Sequence, residues 1–154
     1  MPDYEFEFAE KLRDDATLLA LLPGGIYTDR ELGIGGLRRD ADSPSAAAFD
    51  ADGRLLATAV VRQRASEPYI GIRDEDDRFI AMALVIEVYF YEHRGRDDIE
   101  SAKDRTLTVM EGQRLPGTYP VAYIGESTFF YDAGPVANSN VARQDWEVTY
   151  IKRF

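Results

Sequence analysis

The segment 78–92 constrains the fold more than any other part of this sequence. From position 80 to position 90 its even positions are all apolar, whereas its odd positions mix apolar residues with Glu87, Tyr89 and Tyr91. A repeat of two residues is that of a β-strand, whose side chains point alternately to the two faces of a sheet. The sequence therefore predicts one long strand that packs on a core by its even face. That face consists of Ile80, Met82, Leu84, Ile86, Val88 and Phe90.

Two other segments show the longer repeat that is typical of a helix. Residues 97–110 begin with acidic residues and carry apolar residues along one side, which predicts a helix directly after the long strand. Residues 6–22 carry a second apolar stripe, interrupted at Asp14 and Asp15. We therefore predict either one helix or two helices that meet at the acidic pair, and we expect the helical segment to end before Pro23.

The remaining segments are shorter. Residues 26–32 are expected to be extended, and residues 33–45 have the Gly, Asp and Ser content of a long loop. Apolar runs on both sides of Asp52 and Gly53 predict a hairpin. Further strands are expected at about 67–72, 120–131 and 142–154.

This order of elements predicts an α+β fold, in which two main helices pack on a mostly antiparallel sheet. A chain of 154 residues suits one domain. We therefore expect a single domain over residues 1–154, with an extended loop and hairpin region at about 33–75.

The charge of the chain bears on its partners. It has 28 acidic and 18 basic residues, a formal net charge of −10, whereas nucleic-acid binding usually needs an excess of positive charge. It has no cysteine, and it contains neither a signal-peptide pattern nor an apolar run of about 18 residues. We expect a soluble protein made in a cytoplasm, without specific DNA binding and without a membrane segment.

Residues with catalytic or metal-binding chemistry are sparse. His93 is the only histidine and lies at a turn. The sequence DADG at 50–53 resembles the start of a calcium loop, but the position that needs a bidentate Glu is Val61. The glycine-rich stretch at 33–39 lacks the spacing of a phosphate-binding loop. The sequence therefore predicts no catalytic residue, no cofactor and no metal site.

Interaction surfaces are the remaining candidates, because aromatic residues are numerous and interfaces are enriched in them. Tyr89 and Tyr91 lie on the odd face of the long strand, which either forms an interface or is covered by a helix of the same chain. The loop at 33–45 and the acidic turn before the long strand are expected to reach neighbouring molecules. The interface candidates are Ile34, Leu37, Arg38, Arg39, Asp74, Glu75, Asp76, Asp77, Tyr89 and Tyr91.

Several segments together resemble the tail terminator, or tail-completion, proteins of long-tailed bacteriophages. The opening "LRDDATLLALLPGGIY" is similar to their first helix and the strand after it. The central "IAMALVIEVYFYE" followed by "DDIESAKDRTLTVM" is similar to their long strand and helix. The end, "FFYDAGPVANSNVARQDWEVTYIKRF", is similar to their closing hairpin. The resemblance covers most of the chain except residues 33–75.

The resemblance implies a ring-forming protomer without enzymatic activity. Six copies would form a ring that caps the tail tube of the virion, ends tube polymerisation and offers a docking surface to the head-side connector. The implied partners are other copies of the chain, the tail tube protein and the connector or stopper protein. DNA would pass through the lumen without specific binding, and the ring would assemble in the host cytoplasm.

Two alternatives remain open at the level of sequence. One is a connector or stopper protein of the head–tail neck. The other is a small α+β hydrolase or isomerase, for which Glu87 would need a pocket around it and a raised pKa. A pairing of Glu87 with an arginine of a neighbouring strand would instead indicate a structural role.

Overall fold

The computed structural model describes residues 3–64, 67–73, 79–95, 97–127, 130 and 134–153. Within these residues the chain forms four α-helices and six β-strands. The helices are α1 Tyr4–Arg13, α2 Ala16–Leu21, α3 Asp29–Leu32 and α4 Asp97–Met110. The strands are β1 Gly25–Thr28, β2 Thr58–Gln63, β3 Glu67–Arg73, β4 Phe79–His93, β5 Ala122–Glu126 and β6 Ser139–Arg153.

The strands form one sheet in the order β1, β2, β4, β6, β5, and β3 also pairs with β4. The long strands β4 and β6 form the longest pair of the sheet. They are antiparallel, and they pair from Phe79 with Arg153 to His93 with Ser139. β1 pairs with β2 in parallel, which is possible because residues 29–57 carry the chain back between them. The α+β class is confirmed, but the sheet is mixed, and the prediction of a mostly antiparallel sheet missed its parallel edge.

The first helical segment breaks at the two acidic residues, as predicted. α1 ends at Arg13, and the Asp15 side chain accepts a hydrogen bond from the Leu18 amide at 2.8 Å. Asp15 thereby caps the start of α2, since a carboxylate at this position satisfies an amide that has no partner inside the helix.

The expectation of an extended segment over 26–32 was wrong in its second half. Thr28 accepts a hydrogen bond from the Glu31 amide, and the Glu31 side chain accepts one from the Thr28 amide. This reciprocal capping box begins the single-turn helix α3. The pattern Thr-x-x-Glu that encodes it is present in the sequence.

One face of the sheet, here called the helix-covered face, packs against α1, α2 and α4. Leu84, Ile86, Val88 and Phe90 of β4 are buried there, which confirms the predicted core face, whereas Ile80 and Met82 near the start of the strand are half-buried. Trp146 of β6 is fully buried among aromatic rings. Its ring centroid lies 5.9 Å from that of Phe8 and 5.4 Å from that of Tyr123.

The opposite face, here called the loop-covered face, carries a second and smaller buried cluster. Val60, Tyr89 and Tyr91 have the opposite orientation to the core residues that alternate with them along β2 and β4. They pack against the segment 32–55, which runs over this face. The buried members of the cluster are Leu32, Leu37, Ala48, Leu55 and Val60.

The predicted hairpin around Asp52 and Gly53 is present only as a turn. Phe49 and Leu55 form an isolated antiparallel bridge across it, and Asp50 accepts hydrogen bonds from the amides of Asp52 and Arg54. The apolar run before the turn, Ala46–Ala48, is a 3-10 helix and not a strand. Alanine has low strand propensity, so its apolar character alone gave the wrong prediction.

Candidate interaction surfaces

The glycine-rich loop after α3 is held at both ends. Leu32 and Leu37 are buried on the loop-covered face. Between them the Gly36 amide donates to the Gly33 carbonyl at 3.2 Å, which closes a tight turn. Gly33 and Gly36 have positive φ angles of 69° and 61°, which glycine adopts without a steric penalty. The sequence therefore encodes a defined turn at this position.

Ile34 lies at the tip of this turn and is fully exposed. The other apolar residue that we predicted in this loop, Leu37, lies in the opposite environment, since it is buried and anchors the turn. An isoleucine in full contact with water does not stabilise the fold of its own chain. Leu37 therefore packs within the fold, whereas the Ile34 side chain is accessible to a partner.

The two arginines after the turn are exposed. The Arg38 amide donates to the buried Ser45 hydroxyl at 2.9 Å, and its guanidinium lies 3.7 Å from the Asp40 carboxylate. The Arg39 guanidinium packs against Gly53, where a side chain would displace it. The stretch 33–39 therefore presents two positive charges beside Ile34, one of which lies close to the carboxylate of the following Asp40.

Tyr89 and Tyr91 are half-buried on the loop-covered face. Their rings are stacked, with centroids 6.1 Å apart and an angle of 6° between the planes. Burial raises the pKa of Tyr91, and the neighbouring Tyr89 raises it further. The structure packs other segments of the same chain on these tyrosines, among them Leu32 at the end of α3 and the loop residue Leu37, and a role of the tyrosines at an interface stays a prediction.

Beyond the tyrosines, the loop-covered face carries a network of charges. Glu87 is 5% exposed at its side chain and lies between two arginines of the neighbouring strands. Its carboxylate is 3.5 Å from Arg143 of β6 and 3.8 Å from Arg64 just after β2. Arg143 also lies 3.1 Å from the Asp145 carboxylate. A buried carboxylate needs such compensation.

This arrangement gives Glu87 the structural role that the arginine pairing was expected to indicate. The enzyme alternative required a pocket around Glu87; the described residues show its carboxylate paired with Arg64 and Arg143. Arg64, Arg143 and Asp145 were not named from the sequence, because the registers of β2 and of β6 against β4 are needed to bring them together.

His93 lines an open cavity of about 230 Å³ at the end of β4, beside Glu92, Asp98 and Asp50. Burial raises the pKa of Glu92. The Ile99 amide, which donates a hydrogen bond to the Glu92 carboxylate, lowers this pKa, and the nearby Asp98 raises it. Within the described ranges, no group of three or more His, Asp or Glu side chains is placed to hold a metal ion.

The predicted candidates Asp74, Glu75, Asp76 and Asp77 lie outside the described residues. Their role at an interface stays a prediction.

The helical layer has an exposed apolar surface that sequence reasoning missed. α2 contains no charged residue, and only Leu18 of its residues is buried. Leu19 is 40% exposed, and Ala16 and Ala20 beside it are also exposed. An uncharged surface helix was a usable signal in the sequence, but it was interpreted only as part of the core stripe.

α2 is fixed to the rest of the helical layer by an ion pair. The Arg105 side chain of α4 donates two hydrogen bonds to the Asp15 carboxylate, at 2.8 and 2.7 Å. These hydrogen bonds lower the pKa of Asp15. The exposed acidic residues Asp14, Asp104 and Glu111 lie on the same layer.

Comparisons with known proteins give a likeness in fold. No protein-family model matches the chain, and no curated protein matches it. In the part of the chain that the structure describes, no helix is long and apolar enough to cross a membrane. The chain is similar in structure to a chain of the solved virion of a native gene transfer agent (GTA) particle, with a TM-score of 0.62. The match covers 96% of this chain and 94% of that chain at 13% sequence identity.

Proposed function

We propose that the chain is a structural virion protein that forms a ring on the end of a phage-type tail tube. The ring would end tube polymerisation and offer a docking surface to the head-side connector. The observation that carries this proposal is the likeness in fold to a virion chain, which extends over almost the whole of both molecules. The order of the sequence segments that resemble tail terminators points to the same role.

The architecture supports a terminator over the other neck proteins. A helix-rich fold would favour an adaptor, and a closed β-barrel would favour a stopper. The chain instead has an open mixed sheet with helices on one face. On this reading it performs no catalysis and needs no cofactor, and the Glu87 network stabilises the sheet.

The proposed ring contains six copies, with the tail tube protein on one side and the connector on the other. Each copy carries a formal charge of −10, so six copies carry roughly −60. Negative charge along the lumen would repel DNA in transit and allow it to pass without binding.

The test is polymerisation of the cognate tail tube protein in the presence and absence of this chain, followed by electron microscopy of the tube ends. We expect shorter tubes with a ring at one end, and a tube length that falls as more of the chain is added. Tube protein alone and tube protein with an unrelated acidic protein are the controls. Tubes that grow to the same length, with the chain left in the supernatant, would contradict the proposal.

A further inference from the structure

The strongest unexplained feature outside the core is the fully exposed Ile34. It is presented by a closed turn whose two ends are buried through Leu32 and Leu37. A large apolar side chain held in this way loses little conformational freedom on binding, because its backbone is already fixed. Such a residue is suited to anchor an interface.

The helical layer offers a matching surface. The residues Ala16, Leu19 and Ala20, here called the α2 patch, are exposed, and α2 carries no charge. The acidic residues Asp14, Asp104 and Glu111 are exposed on the same layer. An apolar centre with a charged rim is the usual anatomy of a protein interface.

The charges of the two surfaces are opposite. Arg38 and Arg39 adjoin Ile34, and the Asp40 carboxylate, 3.7 Å from the Arg38 guanidinium, offsets part of this positive charge. The helical layer is acidic, since residues 3–15 and 97–111 contain eleven acidic and four basic residues. Opposite charges at the rims of two apolar surfaces favour their association and fix its orientation.

The two surfaces lie on opposite sides of the sheet. Leu32 and Leu37 anchor the Ile34 turn on the loop-covered face, whereas Leu18 anchors α2 in the core of the helix-covered face. They cannot meet within one molecule. A contact between different surfaces of identical copies is heterologous, and it generates a closed ring when the rotation between copies closes.

We propose that Ile34 of one copy docks on the α2 patch of the next copy. This inference rests on the proposed ring and names the surfaces that join its subunits. Arg38 and Arg39 face the acidic residues of the neighbour's helical layer. The contact repeats around the ring, and each copy uses its loop-covered side for one neighbour and its helical layer for the other.

The test uses the absence of native cysteine. The double variant Ile34→Cys/Leu19→Cys is assembled, oxidised and separated on a non-reducing gel. We expect a ladder of covalent oligomers, because each copy has one thiol for each neighbour and a disulfide needs Cα atoms within about 7 Å. The matched control is Ile124→Cys/Leu19→Cys, since Ile124 is a half-exposed isoleucine on the edge strand β5. The control and both single variants are expected to give no ladder.

A second measurement needs no cross-link. Ile34→Ser is expected to weaken self-association about tenfold or more, as for loss of a central apolar anchor. Ile124→Ser is expected to leave self-association unchanged. Thermal unfolding of both variants shows whether they remain folded.

The outcomes separate this inference from the proposed function. Rings on tube ends with no ladder, and with self-association unaffected by Ile34→Ser, would overturn the inference while the capping function stands. If Ile34→Ser abolishes capping but leaves self-association unchanged, Ile34 contacts the tube, and the inference is wrong. A ladder from a chain that never caps tubes would support the inference and contradict the capping function.

Discussion

The two faces of the sheet are covered in different ways. The helix-covered face is closed by α1, α2 and α4, and it holds the largest fully buried side chains of the described chain, among them Trp146 and Phe90. The loop-covered face has a small cluster under the segment 32–55, and Leu55 is its one member among those largest buried side chains. The rest of this face carries the Glu87 network.

The two faces should therefore contribute differently to folding and to assembly. Burial of large apolar side chains is the dominant favourable contribution to folding, so the helix-covered face should determine whether the chain folds. The loop-covered face buries less and instead fixes the turn that presents Ile34. Its contribution to stability should be smaller and its contribution to assembly larger.

The largest expected effect is on the helix-covered face. Trp146→Ala removes a ring that contacts Phe8 and Tyr123 and leaves a cavity in the core. We expect it to lower the free energy of unfolding by about 3–5 kcal/mol. Urea denaturation followed by circular dichroism measures this change. Trp146→Phe keeps an aromatic ring and should cost clearly less, and equal losses for the two variants would argue against tight packing at this site.

An intermediate effect is expected on the loop-covered face. Leu37→Ala removes an anchor of the Ile34 turn, and we expect a loss of about 2 kcal/mol, at the low end for buried leucines, because a small cluster under a loop can relax. Ile34→Ala, three residues away, should change the free energy of unfolding by less than about 0.5 kcal/mol. If the two variants lose the same stability, the turn is not anchored as described.

The smallest effect concerns the tie between α2 and α4. Arg105 lowers the pKa of Asp15, so the folded protein keeps this carboxylate ionised at pH values where the unfolded chain would be protonated. The resulting stability is present above the unfolded pKa and is lost as the pH falls through the folded pKa. Asp15→Asn keeps a capping side chain and removes the charge.

Wild type should therefore exceed Asp15→Asn in stability at pH 7 by less than the Leu37 effect, and the difference should vanish at low pH. Thermal melts of the two proteins between pH 7 and pH 2 measure the difference. If the difference in stability between wild type and Asp15→Asn stays constant across this range, the charge of Asp15 is not its source, and the account of this ion pair is wrong.

The local sequence pattern predicted the parts of the fold that depend on periodicity. The even face of β4 and the helix break at Asp14 and Asp15 are both as expected. The parallel pairing of β1 was missed because it depends on where a long connection returns. α3 was missed although Thr28 and Glu31 carry the signature of a capping box.

The candidate surfaces were predictable only in part. Sequence composition pointed to the loop at 33–45, but Ile34 and Leu37 look equivalent in the sequence, and only the path of the chain buries one and exposes the other. The pairing of Glu87 with Arg143 needs the register of two strands that lie far apart in sequence. The α2 patch needs knowledge of which helix side the sheet leaves uncovered.

The most direct measurement is hydrogen–deuterium exchange of the backbone amides, in the free protein and in the protein assembled on tube ends. On assembly, we expect slower exchange in residues 33–39 and in α2, and no change in the central part of β4, which is already protected by its neighbours on both sides. If exchange in residues 33–39 and in α2 stays unchanged while other residues become protected, the assembly contacts do not lie at the Ile34 turn and the helical layer, and the account is contradicted.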